Sequence, residues 1–265
     1  EENMELRDIV KSYNLRGFSF REYLNLQTGM KFHAYPLEEI LSNHEQIAKG
    51  ILSKVRPLDY IQDYMHHGFY PFFLEKRNFS ENLLKTMNMM IEVDVLLIRQ
   101  IELKYLTKIK KLYYLLALET GKSPNVSKLA ETIDTSRATV MNYIKYLADA
   151  RLLNIIYHQG SVFPKKPAMV VVNNPNLIYT VYPRNFGDRE ILNSFFINQL
   201  RKDHTVNKER ATDAYRIDGE TSVRISAEGE GESRARGKKN YYTASSGLVV
   251  GKGRKIPLWL FGFLY

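Results

Sequence analysis

Between Asn125 and Leu153 the apolar positions recur with the period of two short helices. Leu129, Ala130 and Ile133 share one helical face after Ser127. Asp134, Thr135 and Ser136 then interrupt the pattern with residue types that prefer turns and N-caps. Val140, Ile144 and Leu147 resume it as an i, i+4, i+7 stripe, with Arg137 at the start of the helix. Thr139, Asn142, Tyr143 and Tyr146 read as a face turned away from that stripe. Two short helices across a three-residue turn make a helix-turn-helix, and a polar second face is what a helix in the major groove requires. A plain helical hairpin in a bundle fits the same period. The turn length and the exposed Ser136, Arg137, Thr139 and Asn142 favour the helix-turn-helix.

The flanking pattern extends this unit. Tyr105 to Thr120 predicts a preceding helix, and Leu152 to Tyr157 and Ala168 to Asn173 predict two strands. Lys165 and Lys166 lie between them, bracketed by prolines. Three helices, a strand, a basic loop and a strand follow the order of a winged helix. Such domains bind DNA, and some bind proteins instead.

Upstream, Ser19 and Glu22 form a capping box ahead of Tyr23 and Leu24. Pro36, followed by Glu38 and Glu39, suits a helix start. Further helices are predicted over Leu41 to Leu52, Pro57 to His67 and Ser80 to Arg99, with a strand-like piece at Ile9 to Leu15. The chain opens without Met and reads as the middle of something longer. His66 and His67 point about 100° apart on a helix, which does not suit one shared metal. Downstream, a helix led by Arg189 and Glu190 runs to Leu200. Strands are predicted at Tyr215 to Ile217, Thr221 to Ile225, Tyr241 to Thr243, Leu248 to Val250 and, as a buried run, Ile256 to Tyr265. Gly219 to Gly253 is poor in large aliphatics and promises a weak core.

Composition narrows the classes. A formal charge of +9 suits an anionic partner. The chain has 0 cysteines, which excludes disulfides, thiol catalysis and cysteine-ligated zinc. No apolar run approaches the roughly 20 residues that span a bilayer, so no membrane partner is expected and the expected location is cytoplasmic.

Five segments carry a resemblance: GFSFREYL at 17–24, GFYPFFLE at 68–75, NPNLIY at 174–179, the Arg189–Leu200 helix ending FFINQL, and KIPLWLFGFLY at 255–265. In this order they resemble the C-terminal half of the AAA-type ATPase family common in Bacteroides and in archaea. The resemblance implies an α+β chain in three parts. Residues 1–100 would be a helical lid remnant, 101–173 a winged helix-turn-helix, and 174–265 a small restriction-endonuclease-like α/β domain of the PD-(D/E)xK class. It implies ATP and magnesium only for the full-length family. No G-x-x-x-x-G-K-[ST] occurs in this chain; Gly247 to Lys252 has the wrong spacing and lacks the following hydroxyl.

In that class a helix Glu, a strand Asp, and a Glu and Lys on the next strand converge on a metal. By the resemblance Glu190 and Asp213 take the first two positions, but Arg224 stands for the metal-binding Glu and Glu228 for the Lys. An Arg there repels a divalent cation. The expectation is therefore a DNA-binding module with no catalytic set, metal or cofactor of its own. Duplex DNA would meet Ser136, Arg137, Thr139, Asn142, Tyr143, Tyr146, Lys165 and Lys166. The absent ATPase domain or another protein is the alternative partner, and a metal-dependent nuclease the alternative function.

Overall fold

The computed structural model describes residues 16–75, 78–181, 188–230 and 240–265. The strand-like stretch read at Ile9 to Leu15 lies outside them. The fold is α+β. Helix α1, Phe20–Thr28, begins at the capping box: Ser19 Oγ accepts from Glu22 N, and Glu22 Oε2 accepts from Ser19 N at 2.9 Å. It ends on Gly29, whose φ of 71° is open to glycine without strain. Helix α2, Leu37–Leu52, is one element where the sequence suggests two, with Pro36 outside it as N-cap. Ser42 causes no break, because its hydroxyl donates to Glu38 O at 2.7 Å and so satisfies itself inside the helix. Helices α3, Leu58–Asp63, and α4, Phe79–Met89, each run on into a π-helical stretch, Tyr64–Gly68 and Met90–Leu97 respectively.

The winged helix follows. It comprises α5, Leu106–Leu118, α6, Val126–Thr132, α7, Arg137–Asp149, and the antiparallel pair β1, Leu153–Ile156, and β2, Met169–Val172. A third strand position joins this sheet through the bridge Lys122↔Val170, between α5 and α6. No periodicity announces that bridge, since it involves a single residue. Strand β2 is buried along its whole length because α5 and α9 both pack on it.

Helices α8, Pro175–Val181, and α9, Asp188–Leu200, lead to a five-stranded sheet. Strands β3, Val206–Lys208, β4, Tyr215–Ile217, and β5, Thr221–Ser226, form an antiparallel meander; β6, Tyr241–Ser245, and β7, Lys255–Pro257, continue it in parallel. Two strand expectations fail here. Leu248 to Val250 is the loop between β6 and β7, and the apolar run at the C-terminus pairs only to Pro257. Pro257 brings no N–H to a ladder, and Leu258–Phe263 turn into a fully buried 3-10 helix. Gly262 is needed in that turn, as a Cβ there would lie 2.5 Å from Phe20 Cβ.

That C-terminal turn is covered by the N-terminal helices: Tyr35 N donates to Phe263 O at 2.9 Å, and Arg21 Nε to Tyr265 O at 2.9 Å. The winged helix is tied in as well. Ser194 of α9 donates to Val172 O at 2.9 Å, Arg201 to Ile155 O at 2.9 Å, and Lys208 N to Tyr157 O at 2.9 Å. One hydrophobic cluster runs through all three regions into which the sequence divides. In the aromatic run, Tyr70, Phe72 and Phe73 pack at the edge of this cluster, and Phe69 is buried.

Candidate nucleic-acid interface

The helix-turn-helix is built from its caps inward. Asn125 accepts from Lys128 N at 3.2 Å to start α6, and Ser136 accepts from Thr139 N at 3.0 Å to start α7. Asp134, in the turn, takes a φ of 50°, a conformation Asp tolerates better than most residues. Two lysines of α5 fasten this turn: Lys111 Nζ donates to Thr132 O at 2.9 Å, and Lys108 Nζ lies 3.2 Å from Asp134 Oδ2. Their charges are spent on the end of α6.

Val140, Ile144 and Leu147 are each 0% exposed, so the stripe is the inner face of α7. The outer face differs from the expectation at one tyrosine. Tyr143 is only 7% exposed, and burial pushes its phenol above the usual value, assisted by Tyr105 and Tyr146. Its position three residues after Val140 and four before Leu147 places it about 60° from the stripe, at the core's edge. Tyr143 is therefore withdrawn from the set that meets a groove. Tyr146 is half-buried, with the Arg99 guanidinium 5.0 Å from its ring centre. Arg99 also pairs with Asp149 at 2.7 Å, as does Lys145. The C-terminal half of α7 is thus held against the segment that follows the π-helical stretch.

The N-terminal half is free. Ser136, Arg137 and Asn142 are exposed and Thr139 half-exposed, its hydroxyl 2.8 Å from that of Ser136. Ala138, Asn142 and Lys145 lie opposite the stripe, a face legible from the 100° step, of which only Asn142 is singled out above. In the wing, Lys165 and Lys166 are exposed beside Val162 and Phe163. Among the described residues no carboxylate lies within ion-pair distance of Arg137, Lys165 or Lys166.

The four nuclease-like candidates do not come together as a group. Asp213 and Arg224 meet, but in a ring closed by Arg189 and Glu230. Arg224 Nε donates to Asp213 Oδ2 at 2.9 Å and Nη2 to Glu230 Oε2 at 3.1 Å; Arg189 reaches the same two acids at 3.3 Å and 2.6 Å. Burial works against the Asp213 charge, yet Arg224 and Arg189 outweigh it and hold the carboxyl below its usual value. The same opposition, with Arg189 foremost, lowers Glu230. Glu190 instead lies near Gly121, and Glu228 against Gly247. Sequence reasoning passed over Arg189, although an i−1 neighbour of Glu190 on the same helix was in view. Among the described residues no three His, Asp or Glu side chains are grouped to hold a metal ion. The Asp213 site does not fit one, because both guanidiniums already occupy the carboxylate and would repel a cation. Beside the ring, burial pushes the Lys208 ammonium down to about 8, with its Nζ 4.9 Å from the Tyr215 ring centre.

Residues 58–167 match a family described as a domain of unknown function (DUF8612), a span from α3 to the wing. An uncharacterized protein of Methanocaldococcus jannaschii is 32% identical over 152 residues, 56% of this chain and 32% of that protein. The match therefore takes in about a third of that relative's length. No solved structure matches the chain. Among the described residues no helix is long and apolar enough to cross a membrane.

Proposed function

We propose that this chain is the DNA-binding and regulatory portion of an AAA-type ATPase, holding duplex DNA with the N-terminal end of α7 and the wing. The observation that carries this reading is the contrast among the cations on and beside the winged helix. Lys108, Lys111, Lys145 and Arg99 are all engaged by backbone carbonyls or carboxylates of the same unit. Arg137, Lys165 and Lys166 are exposed and meet no carboxylate among the described residues. Exposed cations on a helix start and a wing suit a polyanion, whose phosphates release counterions on binding. The ATPase assignment rests on the five resembling segments, and the nucleotide machinery would lie outside this chain. Fluorescence anisotropy with labelled duplex DNA at 50 and 200 mM salt tests the DNA reading. Binding at the lower salt that falls steeply at the higher is expected; no binding at either overturns it.

A second reading has its own observation. Met89, Val93, Leu97, Ile98 and Leu103 are exposed, Leu97 and Leu103 more than 70% (71% and 73%), from the last residue of α4 along the segment that leads to α5. Apolar side chains gathered there suit a protein partner, the missing ATPase domain among them. Light scattering with and without DNA separates the two readings. The nuclease alternative is the weakest, since Arg224 and Arg189 neutralise Asp213. Incubation of plasmid with magnesium or manganese tests it, and cleavage abolished by Asp213→Ala would restore it.

A further inference from the structure

A cavity of about 520 Å³ is lined by residues from the N-terminal segment, the end of α7, β1, the wing and the end of α9. Three arginines line it, Arg16, Arg151 and Arg201. Arg16 donates to Arg201 O at 2.6 Å and Arg201 to Ile155 O at 2.9 Å, both backbone carbonyls. Neither has a carboxylate within ion-pair distance among the described residues, and burial and then the Arg16 charge lower the Arg201 pKa. The acid on the wall, Asp149, is already held by Lys145 and Arg99. Tyr157 lines the cavity too, with its hydroxyl buried away from it. The rest of the wall is largely amide and aromatic, with Asn154, Tyr70 and Phe163.

Two part-buried guanidiniums side by side repel one another and pay for desolvation. An anion placed between them reverses both terms. A guanidinium fork matches phosphate and carboxylate alike, but two forks call for more charge than one carboxylate carries. A phosphate monoester carries about −1.5 to −2 near neutral pH. The volume is that of a small-molecule site, in the range of about 300–1,000 Å³, and larger than a bare phosphate fills. The aromatic wall suits a flat ring.

We propose that this cavity binds a small phosphate monoester carrying a planar ring, with the phosphate held by Arg16 and Arg201. Lys145 of α7 and Phe163 of the wing border the cavity, so the test is run without DNA and is read apart from DNA binding. Calorimetric titration of the full chain with the four ribonucleoside 5′-monophosphates, their nucleosides and inorganic phosphate tests it. At least one monophosphate is expected to bind about tenfold more tightly than its nucleoside and than phosphate alone. Arg16→Gln should weaken that binding about tenfold with the melting temperature unchanged. Arg201→Gln should weaken it likewise and serves if Arg16→Gln does not fold. The proposal is overturned if no monophosphate binds, if nucleoside or phosphate alone binds as tightly, or if the folded variants bind as the parent does.

Discussion

Arg137 and Arg224 are each the most conspicuous charge of their region, and they live in opposite surroundings. Arg137 stands exposed at the first turn of α7 with no acid within ion-pair distance among the described residues. Arg224 has an 11% exposed side chain and two carboxylates, Asp213 and Glu230, shared with Arg189. The first is a cation available to a partner; the second is part of a closed ring of two cations and two anions. The lesson is that basic residues must be counted by what they already hold. The excess charge of +9 is a property of the whole chain, and only the unengaged part of it reaches a ligand.

The largest effect on this comparison comes from removing one side of it. Ile144→Asp places a carboxylate at a position that is 0% exposed under α7. The winged helix should lose its folded state, at several kcal/mol, read as lost helical circular dichroism in residues that the sheet region does not share. Retention of a parent-like melt would show that the stripe is not the inner face.

Arg224→Ala should come next. It leaves Asp213 and Glu230 with Arg189 alone, at about 1–2 kcal/mol of stability. The lower figure is the better guide, since the Asp213 side chain is 43% exposed and water screens it. The ring also makes a pH signature. Both acids are depressed in the fold, so their contribution is complete above the ordinary carboxylate values, 3.8 for Asp213 and 4.5 for Glu230, and drains away as the pH falls below them. Urea melts from pH 6 down to pH 3 should show that loss in the parent and less of it in Arg224→Ala. Parallel curves would mean the ring contributes nothing measurable.

Arg137→Ala should do the reverse of Arg224→Ala. Its expected cost to duplex affinity is about 1–3 kcal/mol if it reaches a base, with stability changed by less than about 0.5 kcal/mol as for an exposed surface position. A fall in stability with unchanged affinity would exchange the roles assigned to the two arginines. The smallest effect belongs to the wing. Lys165→Ala and Lys166→Ala should each lower the slope of log affinity against log salt by about 1, with little dependence on DNA sequence. An unaltered slope in the double variant would remove the wing from the interface.

The helix-turn-helix was legible because everything that makes it is local. The stripe Val140, Ile144 and Leu147, the caps Ser136 and Ser19, and the strands on either side of the wing are set by residues within a turn or two of one another. The same local arithmetic, carried round the helix, would have placed Tyr143 beside the stripe and Lys145 on the outer face. What no window of sequence contains is the third strand position at Lys122↔Val170, the strand β3, or the cover that α1 and α2 supply to the C-terminal turn.

By itself the sequence determined where helices start and which of their faces turn inward, since a cap and a 3.6-residue period need only near neighbours. It also determined that cysteine chemistry is absent. The tertiary structure alone decided which charges are spent. Arg189 reaches Asp213 across 24 residues and Glu230 across 41, and Arg16 meets Arg201 across 185. A charge acts on whatever is near it in space, at a strength set by burial. Both quantities exist only once α9, the sheet and the ends of the chain have packed into one core.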